Sequence, residues 1–359
     1  MRKTFKYRIY PTKAQERVIL ETLEHCRFLY NRLLGERRES YEKFRHTLSA
    51  YTQINSFPVR KEAIPELKTV HSQVLQDVAR RLDKAFQAFF RRVKSGEKPG
   101  YPRFQPTQRY HSFTYPQAGW KVSNRTVTLS KLGDVKIKLH RPVEGTIKTA
   151  TVIAKNGRYY VAFSCEIEQG MLPADTRPAV GVDLGIKHLA ITSDGEFFPT
   201  PKYLRKSERK LKRLQRQVSR RKKGSQRRKK AIRQLARAHE HVANQRADNA
   251  HKVSRTLVSQ YGIIAFEDLK ILNMTQNHHL AKSIADAGWN ALVNFTTYKA
   301  ESAGCRVVLV NPRNTTQECS RCHALVHKEL KDRIHHCPHC GYVQDRDINA
   351  AENILARAV

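Results

Sequence analysis

Residues 179–195 read AVGVDLGIKHLAITSDG, and the fold turns on how they are read. Ala179 to Val182 make a short apolar run, the signature of a buried strand. A second strand follows through Leu189 and Ile191 and ends at an Asp194-Gly195 turn. Inside the first run stands Asp183, between Gly181 and Gly185, two glycines that let another backbone or a ligand come close. A carboxylate in such surroundings needs a partner, because a buried unpaired charge is expensive.

Two more buried strands follow, YGIIAFEDL at 261–269 and CRVVLVNP at 305–312. Helical stretches separate them, around 238–260 and 280–302, so the alternation predicts an α/β region with a partly parallel sheet. Glu267 falls at the carboxyl end of its strand, where open α/β sheets build sites. Asp268 beside it points the other way and reads as a capping or surface acid. The chain closes with CGYVQDRDINAAENI at 340–354. If 346–358 is helical, Asp345 and Asp347 lie about 200° apart around the axis and cannot share a site. Asp347 is in line with Ala351, Ile354 and Ala358, the face expected to pack on the sheet, whereas Asp345 stands where an N-cap is wanted. Three inward carboxylates, Asp183, Glu267 and Asp347, make a hard-oxygen site for Mg²⁺ or Mn²⁺. Two such ions about 4 Å apart suit phosphodiester hydrolysis. The reaction class implied is metal-dependent nucleic-acid cleavage.

Cys319 and Cys322 (CSRC) and Cys337 and Cys340 (CPHC) form two Cys-x2-Cys pairs. Two such turns complete a tetrahedron of thiolates, a closed structural zinc site. The same thiolates also suit an iron–sulfur cluster. Five histidines crowd the segment, His323, His327, His335, His336 and His339; they read as polar surface or nucleic-acid contacts. Cys26, Cys165 and Cys305 stand alone in apolar surroundings, which argues for a reducing, intracellular compartment.

The 359-residue chain is 40% hydrophobic, enough for real cores, and carries 67 Lys and Arg against 32 Asp and Glu, a formal charge of +35. That excess repels itself unless a polyanion neutralises it, and nucleic acid is the obvious one. No apolar run reaches the roughly 18 residues of a membrane span, and the N-terminal stretch does not read as a signal peptide. Residues 202–240 hold 18 Lys and Arg but only Glu208 and Glu240 as acids. They read as two basic helices joined near Gly224, with a thin apolar stripe of Leu204, Leu211, Leu214, Val218, Ile232 and Leu235, placed along a phosphate backbone.

Towards the N-terminus, Phe5, Tyr7 and Ile9 alternate with Lys6 and Arg8, a half-buried strand. Thr12 and Gln15 form a capping box, and Ile19, Leu23, Cys26, Tyr30 and Leu33 mark one helix face. A second helix follows with the stripe Leu75, Val78, Leu82, Ala85, Phe89 and Val93. Pro99, Pro102 and Pro106 end the helical region. From about 110 to 170 the period is two, with an Asn156-Gly157 hairpin turn. The helices therefore read as an insertion within an antiparallel sheet or small barrel that the first strand joins.

The stretches FKYRIYPTKAQ (5–15), GVDLGIKHLAITSDG (181–195), IIAFEDLKI (263–271), NPRNTTQECSRC (311–322) and CPHCGYVQDRDINAAENI (337–354) together resemble the TnpB (OrfB) proteins of insertion sequences. These are relatives of the type V CRISPR effector nucleases. The resemblance spans nearly the whole chain. It implies a RuvC-like RNase H fold at 173–316 and 343–359, with a zinc-ribbon insert at 317–342. It further implies an N-terminal wedge-type β-barrel at 1–10 and 101–172, carrying a helical recognition lobe at 11–100. Carried over by motif, Asp183, Glu267 and Asp347 would be the catalytic acids, and Cys319, Cys322, Cys337 and Cys340 would hold zinc. The implied activity is cleavage of double-stranded DNA beside a short motif, guided by a noncoding RNA of the same element. An unguided nuclease or transposase accessory protein and a non-cleaving DNA-binding regulator are the competing readings; the intact acid triad disfavours the last. His323 departs from the family pattern, which often has glycine after the first knuckle.

Overall fold

Strand β1 (Arg2–Tyr10) buries Phe5, Tyr7 and Ile9 while Lys6 faces solvent, as its alternation predicts. Thr12 then caps helix α1 (Lys13–Phe44): the Gln15 amide donates to Thr12 Oγ1 at 3.3 Å, and the Thr12 amide donates to Gln15 Oε1 at 3.0 Å. Ile19, Leu23, Cys26, Tyr30 and Leu33 are all buried. The computed structural model describes residues 1–168, 175–329 and 332–359, which divide into two compact units, Met1–Gln169 and Gly170–Val359.

In the first unit α1 is followed by α2 (Ala50–Asn55), α3 (Phe57–Ala63), a 3₁₀ turn (Pro65–Thr69) and α4 (Ser72–Lys94). The buried face of α4 is Val74, Leu75, Val78, Ala79, Leu82 and Phe86. This corrects the expected stripe: Leu75, Val78 and Leu82 hold, but Phe86 replaces Phe89 as the deepest ring and Val93 is half exposed. The remaining strands are β2 (Ser112–Tyr115), β3 (Trp120–Val122), β4 (Thr126–Leu129), β5 (Gly133–Lys138), β6 (Thr146–Lys155) and β7 (Arg158–Glu166). They pair in the order β2-β6-β7-β1-β5-β4-β3, with antiparallel ladders throughout. β1 thus lies at the centre of a sheet whose other strands come after the helices. Asn156 and Gly157 turn β6 into β7 with φ of 53° and 70°, the left-handed pair that a two-residue hairpin requires. One apolar core runs through both the helices and the sheet.

The second unit opens with β8 (Ala179–Asp183), β9 (His188–Thr192) and β10 (Phe197–Pro199), then the helices α5 (Tyr203–Ser219) and α6 (Gln226–Gln260). The joint at Gly224 has φ of +85°. The apolar stripe along this pair is thinner than expected: Leu211, Val218 and Ala231 are buried, while Ile232 is exposed. Next come β11 (Ile263–Glu267), α7 (Ile271–Met274), α8 (His278–Ala287), α9 (Trp289–Ala303), β12 (Arg306–Val310), β13 (Ile334–His336), β14 (Val343–Asp345) and α10 (Arg346–Ala356). The sheet order is β10-β9-β8-β11-β12, with β8, β11 and β12 parallel and β9 and β10 antiparallel. Helices α6 and α9 supply one face of its core through Val253, Leu257, Trp289 and Leu292, and α10 covers the other through Ile354 on Ala265 and Val310. The isolated thiols Cys26, Cys165 and Cys305 are all buried.

Candidate active site and metal centre

Val182 pairs with Phe266 in the parallel register of β8 and β11, so the next residues, Asp183 and Glu267, stand side by side at the carboxyl edge of the sheet. Both are partly buried. Burial, and then the negative charges of Glu267 and Asp347, raise the Asp183 carboxyl to about 8, against the pull of Arg346. Burial also raises Glu267, although the Thr315 hydroxyl donates to its Oε1 and opposes the shift. Asp268 is exposed and pairs with Lys270 at 3.1 Å, the surface role expected of it.

Asp345 is the N-cap of α10, its Oδ1 accepting from the amides of Asp347 at 2.8 Å and Ile348 at 3.3 Å. Capping fixes the helix phase, and that phase turns Asp347 toward the sheet. The helix can sit this close only because residue 181 is glycine. A Cβ there would overlap the Ala351 carbonyl oxygen and fall 2.6 Å from the Leu355 nitrogen. Asp347 is 17% exposed, and its Oδ1 accepts from Arg346 Nε at 3.0 Å and Nη2 at 2.9 Å. Among the described residues the three carboxylates do not draw within 4.8 Å of one another as a set; only the four cysteines do. An all-oxygen donor set in which Asp183 is pushed up by burial and by the charges of Glu267 and Asp347 fits a hard divalent cation.

The sulfurs of Cys319 and Cys340 lie 3.7 Å apart, and those of Cys322 and Cys337 3.5 Å apart. Zinc–sulfur bonds of about 2.3 Å give a tetrahedral edge of about 3.8 Å, so the spacing fits zinc. Each knuckle is closed by its own backbone. The His323 amide donates to the Cys319 carbonyl at 2.9 Å, and the Gly341 amide to the Cys337 carbonyl at 3.0 Å. His323 has φ of +61°, close to the +73° of Gly341. The turn that glycine favours therefore forms with histidine, whose Nδ1 is 3.0 Å from Glu318 Oε1. His335 is fully buried, contrary to the surface role expected from its polarity.

Several residues that sequence reasoning passed over join the two centres. The buried Asn349 of α10 accepts from the Ser320 amide at 3.0 Å and donates to the Glu318 carbonyl at 2.8 Å. Asn353, one turn on, donates to the carbonyls of Thr315 at 2.9 Å and Glu318 at 2.7 Å. Arg357 donates to the carbonyls of Asn311 and Arg313. The helix that presents Asp347 is thus the helix that anchors the first cysteine knuckle. The available signal was a pair of amides four apart on the inward face of a short helix.

Three family profiles match the chain: one described as "Probable transposase" over residues 162–278, a "Cas12f1-like, TNB domain" over 289–354 and a "Helix-turn-helix domain" over 1–46. The last region is a strand and one long helix here. The "Putative RNA-guided DNA endonuclease InsQ" of Escherichia coli (strain K12) is 32% identical over 98% of this chain and 91% of its own length. A "Putative RNA-guided DNA endonuclease" of Streptomyces pristinaespiralis is 34% identical over 99% and 89%. Among solved structures, the "mini-RNA-guided endonuclease CRISPR-Cas_phi3" aligns over 100% of this chain and 92% of its own with a TM-score of 0.53 at 9% identity, a likeness of mixed α/β fold. With matched relatives at this identity over nearly their full length, the chain belongs to the TnpB (OrfB) family.

Proposed function

We propose that the protein is an RNA-guided DNA endonuclease of an insertion sequence, cutting double-stranded DNA beside a short motif. The observation that carries this reading is that Glu267 and Asp347 lie near enough to Asp183 for their charges to raise its carboxyl, at one sheet edge of a chain with formal charge +35. In this reading the second unit is a RuvC-like RNase H domain with a zinc ribbon at 317–342. The first unit is then a wedge-type barrel (1–10 and 101–172) with a recognition lobe at 11–100. No helix among the described residues is long and apolar enough to cross a membrane.

Asp183, Glu267 and Asp347 would hold Mg²⁺ or Mn²⁺, which supplies water activation and neutralises charge on the scissile phosphate. Thr315 orients Glu267 through its hydroxyl. Arg346 holds Asp347 in place and moderates the charge of the cluster. Cys319, Cys322, Cys337 and Cys340 would hold a structural zinc, which fixes the loop that Asn349 and Asn353 tie to α10. Base pairing with the RNA selects the DNA, and the surplus Lys and Arg hold both backbones.

The protein is to be expressed with its native flanking DNA, the bound RNA sequenced, and cleavage of matched DNA assayed with Mg²⁺. A single abundant RNA derived from the element and guide-dependent cutting are expected. Asp347→Ala should abolish cutting with RNA still bound, and Asp345→Ala should leave cutting partly intact. Random RNA fragments, or cutting that survives Asp347→Ala, would sink the proposal.

A further inference from the structure

Within the first unit, α1, α4 and the segment after α4 line a cavity of about 600 Å³ that the nuclease site does not use. One wall is aromatic: Phe86, Phe89, Phe90 and Tyr101. Tyr101 meets Phe86 and Phe89 edge-on, with centroids 5.6 and 5.3 Å apart. Phe90 is 55% exposed and Tyr101 43%; Phe90 stacks on Phe86 through one face, which leaves accessible ring surface at the cavity.

The floor is polar, with Arg37 buried and Asp83 partly exposed. Arg37, 7% exposed, donates Nε to Gln53 Oε1 at 2.8 Å and Nη1 to Asp83 Oδ1 at 3.1 Å, but its Nη2 has no hydrogen-bond partner among the described residues. A buried charged donor without an acceptor is costly; Nη2 has almost no accessible surface and the guanidinium lies over the Phe86 ring at 5.2 Å, so it would have to turn toward the cavity to meet a ligand's acceptor. Asp83 offers the complementary acceptor, with Oδ2 already taking one bond from Gln87 Nε2 at 2.9 Å. The rim is cationic: Arg38 lies over the Tyr101 ring at 5.9 Å, and Arg45 over the Tyr41 ring at 5.5 Å.

We propose that this cavity takes one unstacked nucleobase of the bound RNA. The base stacks on the Phe90 and Tyr101 faces, turns its hydrogen-bonding edge to Arg37 and Asp83, and leaves its phosphates to Arg38 and Arg45. Flat apolar walls, a donor–acceptor floor and a basic rim are what single-stranded nucleic acid requires of a site. A lipid chain leaves the floor unmet. RNA loops splay single bases out for stacking; the DNA strand displaced by the guide is the competing source, and the cross-linking below separates the two. The proposal rests on the reading that the protein binds RNA.

Two experiments on the full-length protein test it. Ultraviolet cross-linking of the protein copurified with its RNA should place a ribonucleotide on Phe90 or Tyr101. A cross-link from these residues only to added target DNA overturns the assignment to RNA. In titrations with a fluorescein-labelled oligoadenylate, the Phe90→Ala/Tyr101→Ala variant should bind roughly 5- to 150-fold more weakly, the range for a lost base–aromatic stack. Its dependence on salt should match the wild type, because no phosphate contact is removed. Phe90→Trp should restore binding, and an oligomer of abasic riboses should not distinguish wild type from the double variant. Equal binding of oligoadenylate by wild type and a folded double variant overturns the pocket while leaving RNA binding intact. Failure of the wild type to bind any RNA instead overturns the guided-nuclease reading itself.

Discussion

Asp183 is held among Glu267 and Asp347, and burial with their charges lifts its carboxyl to about 8. Unfolded, an aspartate titrates near pH 4, so between about pH 4 and 8 the folded protein binds the extra proton. Stability from this group is therefore complete at low pH and is lost as pH rises through the folded value. Without magnesium, the protein should melt lower at about pH 8 than at about pH 6. Asp183→Asn should flatten that part of the dependence and melt above wild type at about pH 8; identical profiles for the two would contradict the clustering of the acids. The knuckle turn offers a second test. A non-glycine residue in the left-handed region costs about 1–2 kcal/mol, and the partly exposed His323–Glu318 pair returns less than that. His323→Gly should raise the urea midpoint of the zinc-loaded protein, and a lower midpoint would mean that the ion pair outweighs the backbone strain. Single residues were legible wherever local geometry decides them: the cap at Asp345 follows from sequence spacing alone. Arg346 was not, because its guanidinium is also held by the Asp332 carbonyl, from the segment before β13, a contact that only the fold supplies.

At the scale of elements, the helix phases show where a pattern runs out. On α4 the residues Leu75, Val78 and Leu82 belong to either of two neighbouring stripes, one continuing to Phe89 and Val93, the other to Phe86. The structure takes the second, since the helix outruns the core beyond Phe86 and its last turns border the aromatic cavity. Likewise Ala231, not Ile232, faces α5; the small side chain suits a close helix pair, and hydrophobicity alone points to the wrong one. The joint between β8 and α10 was half legible: the glycines flanking Asp183 announced a close approach, but not by what. Gly181→Ala tests that joint. Its methyl group would collide with backbone at Ala351 and Leu355, which no side-chain rotation relieves, so α10 must move and carry Asp347 with it. A loss of about 1–3 kcal/mol or more, as for core overpacking, is expected in chemical denaturation, together with loss of cleavage. Gly100→Ala, whose nearest neighbour would be the Arg92 guanidinium at 3.8 Å, should do neither. Cleavage at wild-type rate by the Gly181→Ala protein would show that the site tolerates a displaced helix.

Across the whole molecule, the approach of Glu267 and Asp347 to Asp183 is a long-range fact that periodicity cannot supply; sheet topology brings it about. Charge is the property that sequence alone fixes, and its physical consequence can be measured. An excess of 35 positive charges repels itself in the compact state more than in the expanded unfolded chain. The strain is concentrated where α5 and α6 pack against each other: Lys210, Arg213 and Arg237 line one groove between them, and their like charges oppose helix pairing. Salt screens such exposed charges over about 10 Å at 0.1 M, so the RNA-free protein should melt higher as sodium chloride is added. A polyanion that binds only the folded array stabilises it further by mass action. Heparin should therefore raise the melting temperature at low salt, neutral dextran at equal mass should not, and the heparin effect should fade as salt rises. A melting temperature that falls with salt, or that responds equally to dextran, would mean that ion pairs within the chain, rather than repulsion awaiting a nucleic acid, dominate its electrostatics.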